Sequence, residues 1–559
     1  MNTMRSAGRR QPLTRWLALL LLLLQQQDAG ATNYYINSVL GNDANKATHQ
    51  RSPWKTTAPL KQVQLKPGDS VLFATGQSFT GMLYLENVVA REKRPVVIGS
   101  YFFGGSKRRP VLDAGDSLYT ILVRHSSYLK ITGLEITARV PYGGVHPAGT
   151  NLMRCGILVE LTRNEQHRNI ELDNLLIHDV YFHPLGFRRS AEEIRTANGT
   201  QSYGWGVRFI NNSTGGKLTH IKVTNTEIYN VSHTGLKFTA PAGGLQHVVV
   251  AHCRVRHTGG PGMQLSGVTG GHLHHNRIDH SGSVQDSRNW GRGSGLWTWS
   301  CSNILIEHNR FEHANGPGDS AGVHIDFNCS DVIVQYNFSA NNAGGFCEIL
   351  GNNYNCAYRY NISVNDGFRI KGQNGAFQEG KVFWLSGYQG EKKTPHGPFN
   401  SYFYNNTVFV DTTITPKISI SSSARGILIA NNLFYFGRDA IIVTGDQKKN
   451  EAASQYAADV VFTNNFFLRR SAWPEQLFVD SLPSIGPLKF VKSGGLDPEH
   501  YIPVDGSLIK DKGIMIRKIP GDSKGLFPGL HVARDFLGNP VSGLPDIGAI
   551  ELYSKPKRR

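Results

Sequence analysis

Short runs that open on a glycine and then alternate apolar with polar residues recur through the middle of the chain. GVRFI begins at Gly206, GLKFT at Gly235, GMQLS at Gly262 and GLWTW at Gly295. GVHID follows at Gly322, GFCEI at Gly345 and GFRIK at Gly367, with steps of 29, 27, 33, 27, 23 and 22 residues. Alternation at period two marks strands with one buried face. Between these runs a second short strand ends near an asparagine: Asn225, Asn276, Asn309, Asn337 and Asn361, with later copies at Asn405, Asn431 and Asn464. Strand-and-turn repeats of this length predict a solenoid in which each coil buries its apolar face against the next. The expected fold is therefore all-β, a single-stranded right-handed parallel β-helix. Residues 95–480 would form about nine to thirteen coils, with a cap region over 32–94 and a C-terminal capping segment over 481–559.

Two further ladders follow from that register. The asparagines suit inward turns, where they tolerate the left-handed conformation and can bond to the equivalent residue of the next coil. His233, His257, His280 and His313 each precede a turn, and stacking along a turn edge accounts for their spacing without a metal. Cys301, Cys329 and Cys356 recur at steps of 28 and 27. Coils about 4.8 Å apart would allow a Cys301–Cys329 or Cys329–Cys356 bridge, and a stack of buried thiols fits equally well. The spacings match no zinc motif.

Composition and the N-terminus narrow the setting. Charged residues are 18% of the chain and apolar residues 40%, which excludes a disordered polymer. Arg5, Arg9, Arg10 and Arg15 precede an apolar run from Trp16 to Leu24, and Ala29-Gly30-Ala31 offers a cleavage site. This is the pattern of a secretory signal peptide over residues 1–31, too short to span a bilayer. Secretion or periplasmic export, no membrane anchor and a monomeric state are the expectations. Loss of four Arg and Asp28 lowers the net charge from +17 to +14. A basic exported protein is suited to an anionic polysaccharide, or simply to solubility. Nucleic acid is not expected, because no recognition-helix or zinc pattern appears.

The two ends carry a resemblance. NYYINSVLGNDAN, SPWKTTAPL, LKPGDSVLF and PVVIGSY resemble the start of secreted pectate-lyase-like β-helix proteins, and ARDFLGNP with PDIGAIEL resembles their close. The resemblance implies the fold and a carbohydrate ligand. It leaves hydrolase, lyase, epimerase and non-catalytic binder open.

Alternation then sorts the side chains of the glycine-led strands. Val207/Phe209, Leu236/Phe238, Met263/Leu265, Leu296/Thr298, Val323/Ile325 and Phe368/Ile370 are expected inside. Arg208, Lys237, Gln264, Trp297, Trp299, His324 and Asp326, then Arg369 and Lys371, are expected outside, as the floor of a polysaccharide groove walled by the loops 181–203 and 283–293. Three carboxylates stand out. Asp326 lies on the outer row, and Asp319 precedes it by seven residues in the turn GPGDSAG. Glu348 lies about one coil later, and strict alternation from Gly345 requires a bulge to turn it outward. Such a set looks like that of the β-helix glycoside hydrolases, and by that resemblance Asp326 is the nucleophile with Glu348 or Asp319 as acid/base. The lyase alternative uses Lys237, Arg208, His324, Arg369 and Lys371 around a uronate, with Ca²⁺ as its cofactor; the hydrolase needs none.

Overall fold

A computed structural model describes residues 30–140, 152–196, 200–282, 286–390, 392–444 and 457–552. The signal peptide read over residues 1–31 lies, except for its last two residues, outside the described residues. Three long sheets run the length of the molecule, two of 14 strands and one of 12. Consecutive strands of the chain fall in different sheets, and every strand-to-strand pairing within the sheets is parallel. That is a parallel β-helix, each full coil giving one strand to each sheet.

The stack begins earlier than the glycine series suggests. Asn33–Ile36 pairs with Ser70–Ala74, and Leu83–Glu86 pairs with Tyr119–Arg124, so these strands of the region 32–94 already belong to the stack. Val207, Leu236, Met263, Leu296 and Val323 share one inward row and are buried, as are Phe209, Phe238, Leu265, Thr298 and Ile325. Glycine opens these strands because adjacent coils approach closely there. A Cβ on Gly206 would lie 2.4 Å from the Gly235 carbonyl oxygen.

The asparagine ladder forms inside the turns, with one change of membership. The Asn276 amide donates to Asn309, Asn309 to Asn337, and Asn337 to Asn361, each at 2.9–3.1 Å. The series continues through Asn406, Asn432 and Asn465. Asn225 is not a member; it takes a left-handed conformation in an outer turn and bonds Asp173. Asn405, Asn431 and Asn464 likewise take the left-handed positions, one residue before the inner ladder, and bond to one another. His257, His280 and His313 stack at 5.0 and 4.9 Å. His233 stands apart from that ladder, buried between Trp205 and Trp290. All six cysteines are unbridged and buried, so Cys301, Cys329 and Cys356 form the thiol stack rather than a disulfide.

GFRIK is not a strand. Gly367 has a positive φ, Phe368 and Ile370 are exposed rather than in the core, and the strand of that coil is Lys381–Leu385. Residues 367–380 are an excursion from the coil onto the groove side. The last paired strand is Ser484–Ile485. Beyond it the described residues run back along the flank of the helix. Tyr501, Ile509, Ile547 and Ile550 pack on Phe338, Ile362, Phe409, Leu433 and Phe466. Asn355 and Tyr402 hydrogen-bond Asp522, Arg359 donates to the Gly529 carbonyl, and Asn405 donates to that of Asp546.

Candidate active site

The outward row of the 12-stranded sheet builds the floor of a groove. Register places Arg208 beside Lys237, Lys237 beside Gln264, Gln264 beside Trp297, and Trp297 beside His324. Ala321 pairs with Gly345 and Ile325 with Ile349, so the next member of the row after His324 is Glu348. No bulge is needed. Gly345 stands opposite Ala321 rather than Gly322, in a positive-φ conformation, and this one-residue offset turns Glu348 outward. The same register places Glu348 diagonal to Asp326, not directly beside it as a simple coil count implies. Two residues along the strand and one coil across separate their backbones by roughly 8 Å.

These side chains line one cavity of about 1080 Å³ with Asp319, Asp326, Trp299 and Lys371. The aromatic walls are Phe327, Phe377 and Tyr388. Of the sequence-derived candidates only Arg369 is elsewhere. It is buried behind the Asp319 turn, where its guanidinium donates to the carbonyls of Gly316, Asp319 and Gln378. Lys371 reaches the cavity from the excursion, not from a strand.

Asp319 is held from several sides. It and Ser320 are consecutive non-glycine residues with positive φ, a strained turn of the kind found at functional sites. Arg292 chelates its carboxylate at 2.8–3.0 Å and also donates to the carbonyls of Arg195 and Thr196. The Asp319 N–H donates to Gln378 at 2.6 Å. Burial opposes ionisation here, but the guanidinium wins and holds this carboxyl below its ordinary range.

The neighbouring acids behave oppositely. Burial, reinforced by the Asp319 charge and moderated by the Phe327 N–H, pushes Asp326 up to about 7. Burial also pushes Glu348 up to about 8; Lys381 opposes this, while Asp319 and Asp326 reinforce it. His324 is pushed down to about 4 by burial, the Asp319 charge opposing and Arg292 reinforcing, so its imidazole is neutral. Its Nδ1 meets the Ser294 hydroxyl at 2.9 Å, and its ring stacks on Trp297. Near neutral pH the groove therefore holds an ionised Asp319, an Asp326 close to the midpoint of its titration and a mostly protonated Glu348.

Sequence reasoning missed Arg292, Gln378 and Lys381. Arg292 lies in GRGSG, within a segment expected only as a wall, and nothing local in the sequence aims it at Asp319. Away from the groove, Asp279, His280 and His313 bring ligand-type atoms together, and the contact is accounted for by a 2.9 Å bond from His313 to Asp279 within the stacked turns.

Residues 205–382 match the family model described as a right-handed beta helix region. The structure superposes on the crystal structure of a GH136 lacto-N-biosidase from Eubacterium ramulus with a TM-score of 0.54. That alignment has 18% identity and covers 77% of this chain and 71% of the other. The fold is the right-handed parallel β-helix. In sequence, 94% of the chain aligns at 24% identity with a lacto-N-biosidase of Bifidobacterium longum subsp. longum. The chain spans only 36% of that relative's length.

Proposed function

We propose that this protein is a glycoside hydrolase that cleaves an oligosaccharide in the groove of the β-helix, with Asp319 and Asp326 as its catalytic pair. The observation that carries this reading is the opposed protonation of two carboxyl groups that sense each other across one cavity. Glycosidic cleavage needs one ionised carboxylate and one protonated acid, and no cofactor. The Arg292 clamp supplies the first state at Asp319, and burial supplies the second at Asp326. Trp299, exposed beside the buried Trp297–His324 stack, offers a face on which a sugar ring stacks, and the aligned lacto-N-biosidases support the reaction class. Glu348, uncharged near neutrality, is assigned to hydrogen bonding with the bound sugar. We also assign residues 1–31 to export and the protein to a monomeric state.

The lyase reading is weakened by the placement of its residues. Lys237 and Arg208 lie three to four coils from the Asp319 turn, and Arg369 serves backbone carbonyls. A scan over neutral and uronate-containing oligosaccharides, following reducing ends together with the ultraviolet absorbance of unsaturated products, tests the proposal. Reducing ends without the chromophore are expected; their joint appearance means a lyase. Activated aryl glycosides then assign the pair. A variant lacking the acid still forms a glycosyl-enzyme from such a substrate, whereas one lacking the nucleophile does not.

A further inference from the structure

At the end of the groove away from the carboxylates, four side chains keep a buried polar atom with no hydrogen-bond partner among the described residues: Arg208 through Nε, Thr239 through Oγ1, Gln264 through Oε1 and Trp297 through Nε1. Lys237 lines the same end of the groove beside them. Arg208 and Lys237 are adjacent on the floor row, and both are more than nine-tenths buried. Both cations lie over the fully buried ring of Trp205, at 4.2 and 5.1 Å from its centroid, which fixes them in place. Arg208 also donates to Gln201 at 2.8 Å. Neither has an ion pair among the described residues, and no carboxylate is among the groups that act on either charge.

Two cationic groups side by side in a largely buried setting are disfavoured as a pair of charges unless an anion joins them or the lysine gives up its proton. Burial depresses both groups, and at Lys237 the Arg208 charge adds to it, so the lysine is depressed strongly. An arrangement that costs stability in the free chain is relieved by a ligand of opposite charge. A plain polar groove would not require the lysine at all.

We propose that this end of the groove is a subsite for an anionic sugar substituent, a carboxylate or a sulfate ester, gripped by Lys237 and Arg208. Three coil steps separate Lys237 from the coil of Asp326, roughly 14 Å along the axis, the length of two or three pyranose rings. The charged sugar therefore lies two or three units from the bond that is cleaved, with the rings between them over Gln264 and Trp297. The distance to the cleaved bond rests on the hydrolase reading; the anion subsite itself does not.

The test uses the full chain and three hexasaccharides: neutral chitohexaose, unsulfated chondroitin and sulfated chondroitin, with inorganic sulfate and acetate as sugar-free probes. Binding is measured by calorimetry in the Asp326→Asn variant, so that turnover does not intervene. At least one charged hexasaccharide is expected to bind tenfold or more tighter than chitohexaose, with a preference that shrinks as salt rises. A preference for both charged forms identifies the carboxylate as sufficient; a preference for the sulfated form alone identifies the sulfate. Lys237→Met is expected to abolish the preference while melting at or above the parent temperature without ligand, and Lys237→Arg to restore it. Equal binding of charged and neutral chains overturns the proposal. So does a preference that survives in Lys237→Met, or no response to any of the five probes. A charge preference lost in Lys237→Met, in a chain whose parent hydrolyses nothing, keeps the subsite and removes the hydrolase.

Discussion

Replacing Asn337 by leucine removes one rung of the inner ladder, and the structure states what is left behind. The Asn337 Oδ1 accepts both the backbone N–H and a side-chain N–H of Asn309, each at 3.0 Å. Its own amide donates to the carbonyls of Ile306 and Gln335 at 2.8 Å and to Asn361 at 3.1 Å. Leucine is of similar size, so no cavity of consequence forms, but two buried donors of Asn309 lose their acceptor. At about 1–3 kcal/mol for each buried group left unpaired, the loss is about 2–6 kcal/mol. The coils tied by the segment that returns along the flank, a cooperative unit of about 250 residues, have an unfolding entropy near 0.5 kcal/mol per degree, so their melting temperature should fall by about 4–12 °C. Asn225→Gly is the control, because Asn225 keeps its left-handed backbone as glycine and gives up only a surface bond to Asp173. Calorimetry should show the drop in the first variant and less than about 1 °C in the second. Hydrogen exchange at the Asn309 amide should accelerate in the first alone. Equal melting of Asn337→Leu and the parent, with the Asn309 amide still protected, would refute the reasoning that the ladder is held by mutual satisfaction.

Three further outcomes concern the groove. Asp326→Asn should abolish hydrolysis with the fold intact. The carboxyl is raised to about 7 in the folded chain from an ordinary 3.8, so its contribution to stability is full at low pH and lost as pH rises toward 7. The variant should accordingly melt like the parent near pH 4 and above it at pH 8; the reverse trend would place the carboxyl in an ionised state. Arg292→Gln should let the Asp319 carboxyl rise, moving the acid limb of the pH–rate profile upward and lowering kcat at least tenfold, whereas an unchanged profile would separate the clamp from catalysis. Glu348→Gln should retain most of the activity below pH 7, since the parent side chain is already uncharged there. Complete loss in that variant would move Glu348 into the catalytic pair in place of Asp319.

The fold was legible because its rule is one-dimensional: each coil repeats the demand of the last, so a period-two pattern recurring every few tens of residues specifies both strand and partner. Where one residue type serves two purposes, that legibility ended. Gly206 and its successors let neighbouring backbones approach, whereas Gly345 supplies a positive φ one position out of phase, and only the paired register reveals that Glu348 faces outward without a bulge. GFRIK imitates a strand in composition, yet its apolar residues are exposed and the coil closes instead through Lys381–Leu385. In the asparagine pairs of the last coils, the first member bends the turn and the second bonds inward, a division that identical side chains conceal. The carboxylates could be named from spacing alone. Their charge states could not, because these depend on Arg292 arriving from a loop 27 residues upstream of Asp319.

The segment that returns along the flank alters how the molecule comes apart. A solenoid held only by contacts between neighbouring coils frays from either end, one unit at a time. Residues 486–552 instead tie together coils distant in sequence, from Leu305, Asp331, Ile333 and Phe338 through Phe409 to Phe466. Those coils must loosen together or not at all, while the N-terminal half keeps the freedom to open stepwise. The grip begins on the coil of Trp297, where Leu305 packs against the segment and Arg310 donates to the Leu496 carbonyl, so the seam between a divisible half and an indivisible one crosses the groove between Gln264 and Trp297. Proteolysis and hydrogen exchange should therefore report two halves of different cooperativity, with the boundary running through the groove.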